Sequence, residues 1–326
     1  MLKEMPKIEL HCHLDGSMNL EVTRELLAQM GESYTDAELI DMLQAPEDCP
    51  SLADYLTRFD LPIRLIQTRE GLRKSAKAVA LDAAAENVKY MEVRFAPTFS
   101  TNEGLSIGDI LESVQKGLKE AEAQADIKTG IIVCGMRHLD METNLRMLKQ
   151  AAEFYGAGVV ACDLAGDEKA FPTKDFVEFF EASKKMGIPF TIHSGECGST
   201  ENIRVALDLG ARRLGHGIAM GRDLDLIRKC ADRRVGVELC PSSNLQTKAV
   251  TSFAEYPLRS FLAAGVPISI NTDNRIVSGT TNTREWERVV SHFQITEDEA
   301  AKIYRDSVEM SFATDDVKHM LLASIP

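Results

Sequence analysis

Short β-rich apolar runs recur along the chain, each followed by a polar loop and then by apolar positions spaced three and four residues apart. The runs fall at 8–13, 90–95, 130–136, 159–163, 190–194, 213–217, 236–239 and 267–271. Between them the helical period marks 71–87, 106–125, 142–155, 173–186, 200–209, 223–231 and 258–263. Gly187-Ile188-Pro189 and Gly265-Val266-Pro267 stop a helix just ahead of a strand. Strands alternating with helices imply a parallel sheet, and eight of them close a (β/α)₈ barrel of the TIM type, an α/β fold. Two stretches depart from the alternation. Residues 20–67 form a helical insertion after the first strand, and 283–326 add helices after the eighth. No linker, low-complexity tract or break in composition divides the chain, so 1–326 is expected to be one domain.

Composition narrows the picture further. The 326 residues are 44% hydrophobic, enough for a large core. No run approaches the roughly 20 apolar residues that span a bilayer, and Met1–Lys7 carries no apolar signal core, so a cytoplasmic protein is expected. Seven cysteines, an odd number without C-x-x-C spacing, read as reduced thiols. A net charge of −13 with dispersed basic residues argues against nucleic acid or anionic membranes as partners.

Chemistry-bearing residues fall where such a barrel works, at the C-terminal ends of its strands. The first strand ends His11-Cys12-His13, and residues two apart on a strand share a face, roughly 7 Å apart. Asp15 follows. The fifth strand ends His193-Ser194-Gly195-Glu196, the sixth carries Gly215-His216-Gly217, and the eighth ends Thr272-Asp273-Asn274. Singly, each has a structural reading: a core histidine, a helix-capping Asp, a solvated Glu. Jointly they converge on one face of one barrel and point to a metal. Three imidazoles and one carboxylate would leave a zinc ion room for a water whose pKa falls to about 7. His138, in the loop after the third strand, is left out of this set.

The runs Pro6-Lys7-Ile8-Glu9-Leu10-His11-Cys12-His13-Leu14-Asp15-Gly16, Asp163-Leu164-Ala165-Gly166-Asp167-Glu168, His193-Ser194-Gly195-Glu196, Arg213-Leu214-Gly215-His216-Gly217, Cys240-Pro241-Ser242-Ser243-Asn244 and Asn271-Thr272-Asp273 occur in order over nearly the whole chain. With them the sequence resembles the adenosine deaminase family of the metal-dependent amidohydrolases. The resemblance implies one Zn²⁺ per chain, held by His11, His13, His193 and Asp273. It implies Glu196 as the acid that protonates purine N1, and His216 as the group that orients the attacking water. His13 would border the substrate as well as the metal, Asp15 would bind the ribose 5′-hydroxyl, and the Gly166 backbone would meet purine N3. Zinc-bound hydroxide would attack C6 of adenosine or 2′-deoxyadenosine, a small-molecule purine nucleoside, releasing ammonia. The insertion at 20–67 would form a lid, its apolar face at Leu52, Tyr55, Leu56 and Phe59 covering the nucleoside.

One departure stands out. The family commonly follows the zinc-binding Asp with a second Asp and Pro, whereas here the run is Asp273-Asn274-Arg275. An amide NH₂ donates at any pH, so Asn274 is expected to keep the purine N7 contact. Arg275 is expected near the pocket mouth. Adenine and 5′-modified adenosines such as aminodeoxyfutalosine stand as alternative substrates, while AMP lacks a Lys/Arg cluster to receive it. Two rival functions are a two-metal amidohydrolase and a non-catalytic purine-binding barrel. The first needs a Lys at the end of the fourth strand, where none stands. The second predicts a lost ligand or acid, yet all are present.

Overall fold

The computed structural model describes residues 2–323, apart from the side chains of Leu52 and Ala53. Eight strands run in parallel: β1 (Lys7–His13), β2 (Val88–Phe95), β3 (Lys128–Met136), β4 (Val159–Ala165), β5 (Thr191–Ser194), β6 (Arg213–His216), β7 (Gly236–Leu239) and β8 (Ile268–Ile270). They form two four-stranded ladders, β1 to β4 and β5 to β8, each in chain order. Single bridges close the two seams. Cys162 pairs with Phe190 between β4 and β5, and Cys12 pairs with Asp273 where the chain leaves β8 beside β1. At the second seam Asp273 N–H donates to the His11 carbonyl at 2.8 Å and His13 N–H to the Asp273 carbonyl at 2.7 Å. The result is the eight-stranded α/β barrel expected of the sequence pattern, with helices outside it.

Buried faces are apolar on the outside of the strands, where Cys12, Leu14, Met91, Val93 and Ile192 join one core with the helices. A register irregularity between Glu9 and Cys12 changes which residues of β1 share a face. Ile8 and Leu10 consequently pack elsewhere, with Tyr90 of β2 and with Tyr304, Val308 and Leu321 of the C-terminal helices. Two of the C-terminal helices, Glu297–Met310 and Asp315–Ala323, cover the end of the barrel where the strands begin, while Asn282–Phe293 packs with the main core. The opposite end carries the helices Leu20–Gln29, Asp36–Leu43, Leu52–Leu56 and Asp60–Leu65 of the insertion.

The barrel interior is charged, unlike an ordinary core. Glu92, Arg94, Asp163, Arg213 and Glu238 are all fully buried. Arg213 meets Glu92 at 2.5 Å and Glu238 at 2.6 Å, while Arg94 meets Glu238 and Asp163, each at 2.8 Å. A charge taken out of water persists only when paired and hydrogen-bonded, and here the chain of alternating signs satisfies that condition. Two details differ from the sequence pattern. The span 173–186 is a 3₁₀ turn (Thr173–Phe176) followed by a helix (Val177–Lys185), and a short helix, Pro241–Gln246, follows β7. Among the described residues no helix is long and apolar enough to cross a membrane.

Candidate active site

Imidazoles from three strands and a carboxylate from beyond a fourth meet above the charged interior. Side-chain ligand atoms of His11 (β1), His193 (β5), His216 (β6) and Asp273 (after β8) all lie within 4.8 Å of one another. His13 joins them: its Nε2 is 3.2 Å from His193 Nε2 and 3.4 Å from Asp273 Oδ1. His216 and Asp273 hold left-handed backbone, with φ of 64° and 59°. Such conformations in residues other than glycine cost about 1–3 kcal/mol each and persist where the surroundings over-determine them. Both lie just at the turn out of a strand, where the left-handed kink aims the side chain inward.

Carboxylates stand behind two of the rings. His11 Nδ1 is 2.8 Å from Glu238 Oε2, and His193 Nδ1 is 2.8 Å from Asp163 Oδ2. A carboxylate only accepts, so each Nδ1 carries the hydrogen and each Nε2 presents a lone pair to the cluster. His11 Nε2 is buried with no hydrogen-bond partner, 3.3 Å from Asp273 Oδ1. Two acceptors facing each other so closely repel, and a cation between them relieves it. The donor set therefore fits a divalent metal. Burial holds the rings of His13 and His216 in the neutral form, with pKa values well below the usual one.

Glu196 faces this cluster, its Oε2 3.6 Å from His216 Nε2, and its Oε1 accepts from the Thr247 hydroxyl at 2.9 Å. Burial pushes its pKa up to about 8, and the negative charge of Asp273 adds to the effect. The loop that carries it is tied down by Glu168, whose carboxylate accepts from the Gly195 and Glu196 amides at 2.7 and 3.1 Å. At neutral pH this group is a carboxylic acid with a proton to give.

A cavity of about 330 Å³ opens onto these groups, lined also by Asp15, Gly166 and Asn274. Its size is in the range of small-ligand sites. Asp15 Oδ1 is buried without a hydrogen-bond partner, and burial raises the carboxyl to about 6. Gly166, at the turn out of β4 with φ of 106°, holds a backbone conformation that glycine adopts without strain. Asn274 Nδ2 donates to Tyr55 Oη at 3.0 Å. Its Oδ1 fills the space above Gly16, where a Cβ would lie 1.8 Å from it, so only glycine fits at 16. Tyr55 and Phe59 of the insertion line the cavity with Leu56, which is 43% exposed; the Leu52 side chain lies outside the described residues. A neighbouring groove of about 610 Å³ shares Ile63 and Phe99 but is lined by no His, Asp or Glu.

Among the described residues, every site residue singled out from the sequence lines the cavity or its metal cluster, with Arg275 the exception. Expected at the pocket mouth, Arg275 is instead buried and paired with Glu86 on the far side of the chain. The reason lies in the turn after Asp273, where the Arg275 amide donates to Ser17 Oγ and aims the side chain outward. His138, left outside the metal set, lies apart from the ligand cluster but lines the cavity, stacked on Phe99 with centroids 5.7 Å apart. Asp163 and Asn244 stand in the quoted runs without an assigned role, and Glu238, Arg94, Thr247 and Tyr256 carry no sequence expectation. For Glu238 and Arg94 the signal is a charge inside a run that otherwise reads as buried.

Comparison with known proteins agrees with this geometry. The family model described as "Adenosine deaminase" matches residues 6–326. A Clostridium botulinum protein named adenosine deaminase is 41% identical, covering 98% of this chain and 96% of that protein. The crystal structure of an adenine deaminase from Arthrobacter aurescens superposes with a TM-score of 0.89 at 26% identity, covering 98% and 97% of the two chains. The Arabidopsis ADAL structure complexed with IMP superposes with a TM-score of 0.87 at 27% identity, covering 98% and 96%.

Proposed function

The chain belongs to the adenosine deaminase family and deaminates adenosine hydrolytically, and we propose that one zinc ion, held by His11, His13, His193 and Asp273, serves that reaction. The carrying observation is the meeting of a lone-pair cluster with a protonated acid across one cavity. When bound, the ion supplies Lewis acidity that makes hydroxide available near neutral pH. The protein's own residues do the rest. His216 orients the attacking oxygen from its Nε2 side. Glu196 gives its proton to purine N1, which withdraws electron density from C6 as the oxygen adds. Thr247 keeps the acid pointed at the ring. A rival two-metal chemistry needs a bridging lysine at the end of β4. That strand ends at Ala165, and Lys169 beyond it is exposed.

Adenosine and 2′-deoxyadenosine fit the lining better than the alternatives. The unpartnered Asp15 oxygen accepts a sugar hydroxyl, which adenine lacks. Besides the acid Glu196 and the metal-cluster Asp273, the cavity is lined by Asp15, Asp60 and Asp167 and by no Lys or Arg, so a 5′-phosphate finds no cation to receive it. ADAL, by contrast, was crystallised with a nucleotide. Asn274 uses one N–H on Tyr55 and has a second for purine N7, while the Gly166 backbone meets N3.

The test is a substrate panel with zinc-loaded protein, followed by the fall in absorbance as adenosine becomes inosine. Adenosine and 2′-deoxyadenosine turn over, AMP does not, and 7-deazaadenosine binds more weakly for want of N7. A flat trace with adenosine overturns the reading, and equal binding of 7-deazaadenosine removes Asn274 from it. Asp15→Asn is expected to raise KM for adenosine about tenfold, the weight of one hydrogen bond to a charged group. The same substitution leaves KM for 5′-deoxyadenosine unchanged, since that nucleoside lacks the 5′-hydroxyl.

A further inference from the structure

Five groups crowd one point, and distance alone does not say why four of them ligate a metal while His216 stands beside it. The far side of each ring decides. Glu238 accepts from the Nδ1 hydrogen of His11, and the Asp163 carboxylate stands 2.8 Å behind His193 Nδ1, so both rings turn their Nε2 lone pairs to the cluster. His216 is set the opposite way. Its Nδ1 lies 3.0 Å from Asn244 Nδ2, an amide nitrogen that only donates. The buried Tyr256 oxygen takes a hydrogen bond from the Cys240 backbone, and its own hydroxyl hydrogen goes to Asn244 Oδ1 at 3.0 Å, which leaves the amide nitrogen facing the ring.

We propose that Asn244, locked by Tyr256, is a positioning residue that holds His216 as its Nε2–H tautomer. In that form the ring carries a hydrogen, not a lone pair, on the side facing the cavity. It donates to the reacting oxygen and stays off the metal. The short helix Pro241–Gln246 thus governs both groups that flank the reacting atoms: Asn244 sets His216, and Thr247 at the end of that helix holds Glu196. The inference rests on the reading of His216 as a neighbour of the nucleophile.

Tautomers are read directly, without turnover, by long-range ¹H–¹⁵N NMR of metal-free protein labelled at histidine. His11 and His193 are expected as Nδ1–H, and His216 as Nε2–H. Asn244→Asp replaces the donor by an acceptor, so His216 changes to Nδ1–H, and kcat falls about 100-fold with KM little changed. Asn244→Leu removes the preference, giving both tautomers and a fall in kcat of about tenfold. Tyr256→Phe, the gentler change, frees the amide to turn and gives a mixture as well. A wild-type His216 in the Nδ1–H form overturns the proposal, as does an N244D protein with unaltered tautomer and kcat. If His216 is Nε2–H but adenosine is not deaminated, the proposal stands and the functional reading falls.

Discussion

Glu196→Gln lowers kcat for adenosine by about 10³-fold, within the usual weight of a general acid, while the proposed uptake of one zinc per chain is expected to match that of the parent. The amide still donates a hydrogen bond to N1 but has no proton to transfer. Size is nearly conserved, and Thr247 still finds an oxygen acceptor. The wild-type acid works only while protonated, so activity is present below the pKa and lost as pH rises through it. Burial sets that value at about 8, and a divalent cation in the neighbouring cluster pulls it lower. The alkaline limb of the kcat profile therefore falls at or below about pH 8, and it disappears in the Gln variant. Stability moves the other way. A carboxyl whose folded pKa is raised contributes stability that is full below its unfolded pKa and is lost as pH rises through the folded value. Glu196→Gln removes that loss, so above pH 8 the inactive variant resists denaturant at least as well as the wild type. A variant with kcat within tenfold of the parent removes Glu196 from the role of acid.

The barrel was legible because each of its eight strands is bounded by a turn and separated from the next by a helical period. Short parallel strands such as Ile268–Ile270 were recognisable from the Gly-x-Pro ahead of them more than from their own length. The histidines were legible for a different reason. A ring at a strand end, five times over, is hard to explain by packing. The residues behind the rings escaped notice, because Glu238 in Gly-Val-Glu-Leu or Arg94 in Glu-Val-Arg-Phe looks like an ordinary polar position on an alternating strand. Only closure of the barrel shows that these positions face inward, where water is absent and partners must come from other strands. Arg275 failed in the same way. Its neighbours in sequence are in the cavity, but one bond from its amide to Ser17 turns it out. Asn244 shows what spacing cannot carry at all: the role of an amide depends on which end a tyrosine twelve residues later selects.

Arg94→Met is expected to cost about 3–5 kcal/mol of stability, the range for breaking a buried charge pair from one side. Arg94 is fully buried and binds both carboxylates that stand behind metal-facing histidines. Burial raises the carboxyls of Asp163 and Glu238, but His193 and Arg94 for the first, and Arg94 and Arg213 for the second, overcome it and hold both well below the usual range. The two carboxylates do not depend on Arg94 equally. Glu238 keeps Arg213 at 2.6 Å and the Thr191 hydroxyl at 2.8 Å. Among the described residues Asp163 keeps no other Lys or Arg within ion-pair distance, only His193 Nδ1 at 2.8 Å and the Leu164 amide at 2.7 Å. The relieved carboxylate then competes for a proton, and the His193 ring loses the fixed acceptor that keeps its lone pair turned to the cluster. Zinc affinity is accordingly expected to fall about 10–100-fold, as when other groups behind a metal ligand are removed. Chemical denaturation of the metal-free variant separates the two effects, since a ligand absent from both states cannot shift the midpoint. Arg94→Lys keeps one charge but not the fork that spans two carboxylates, and falls between Met and wild type. A Met variant with the parent's midpoint and zinc affinity would show that the interior charges balance without this arginine.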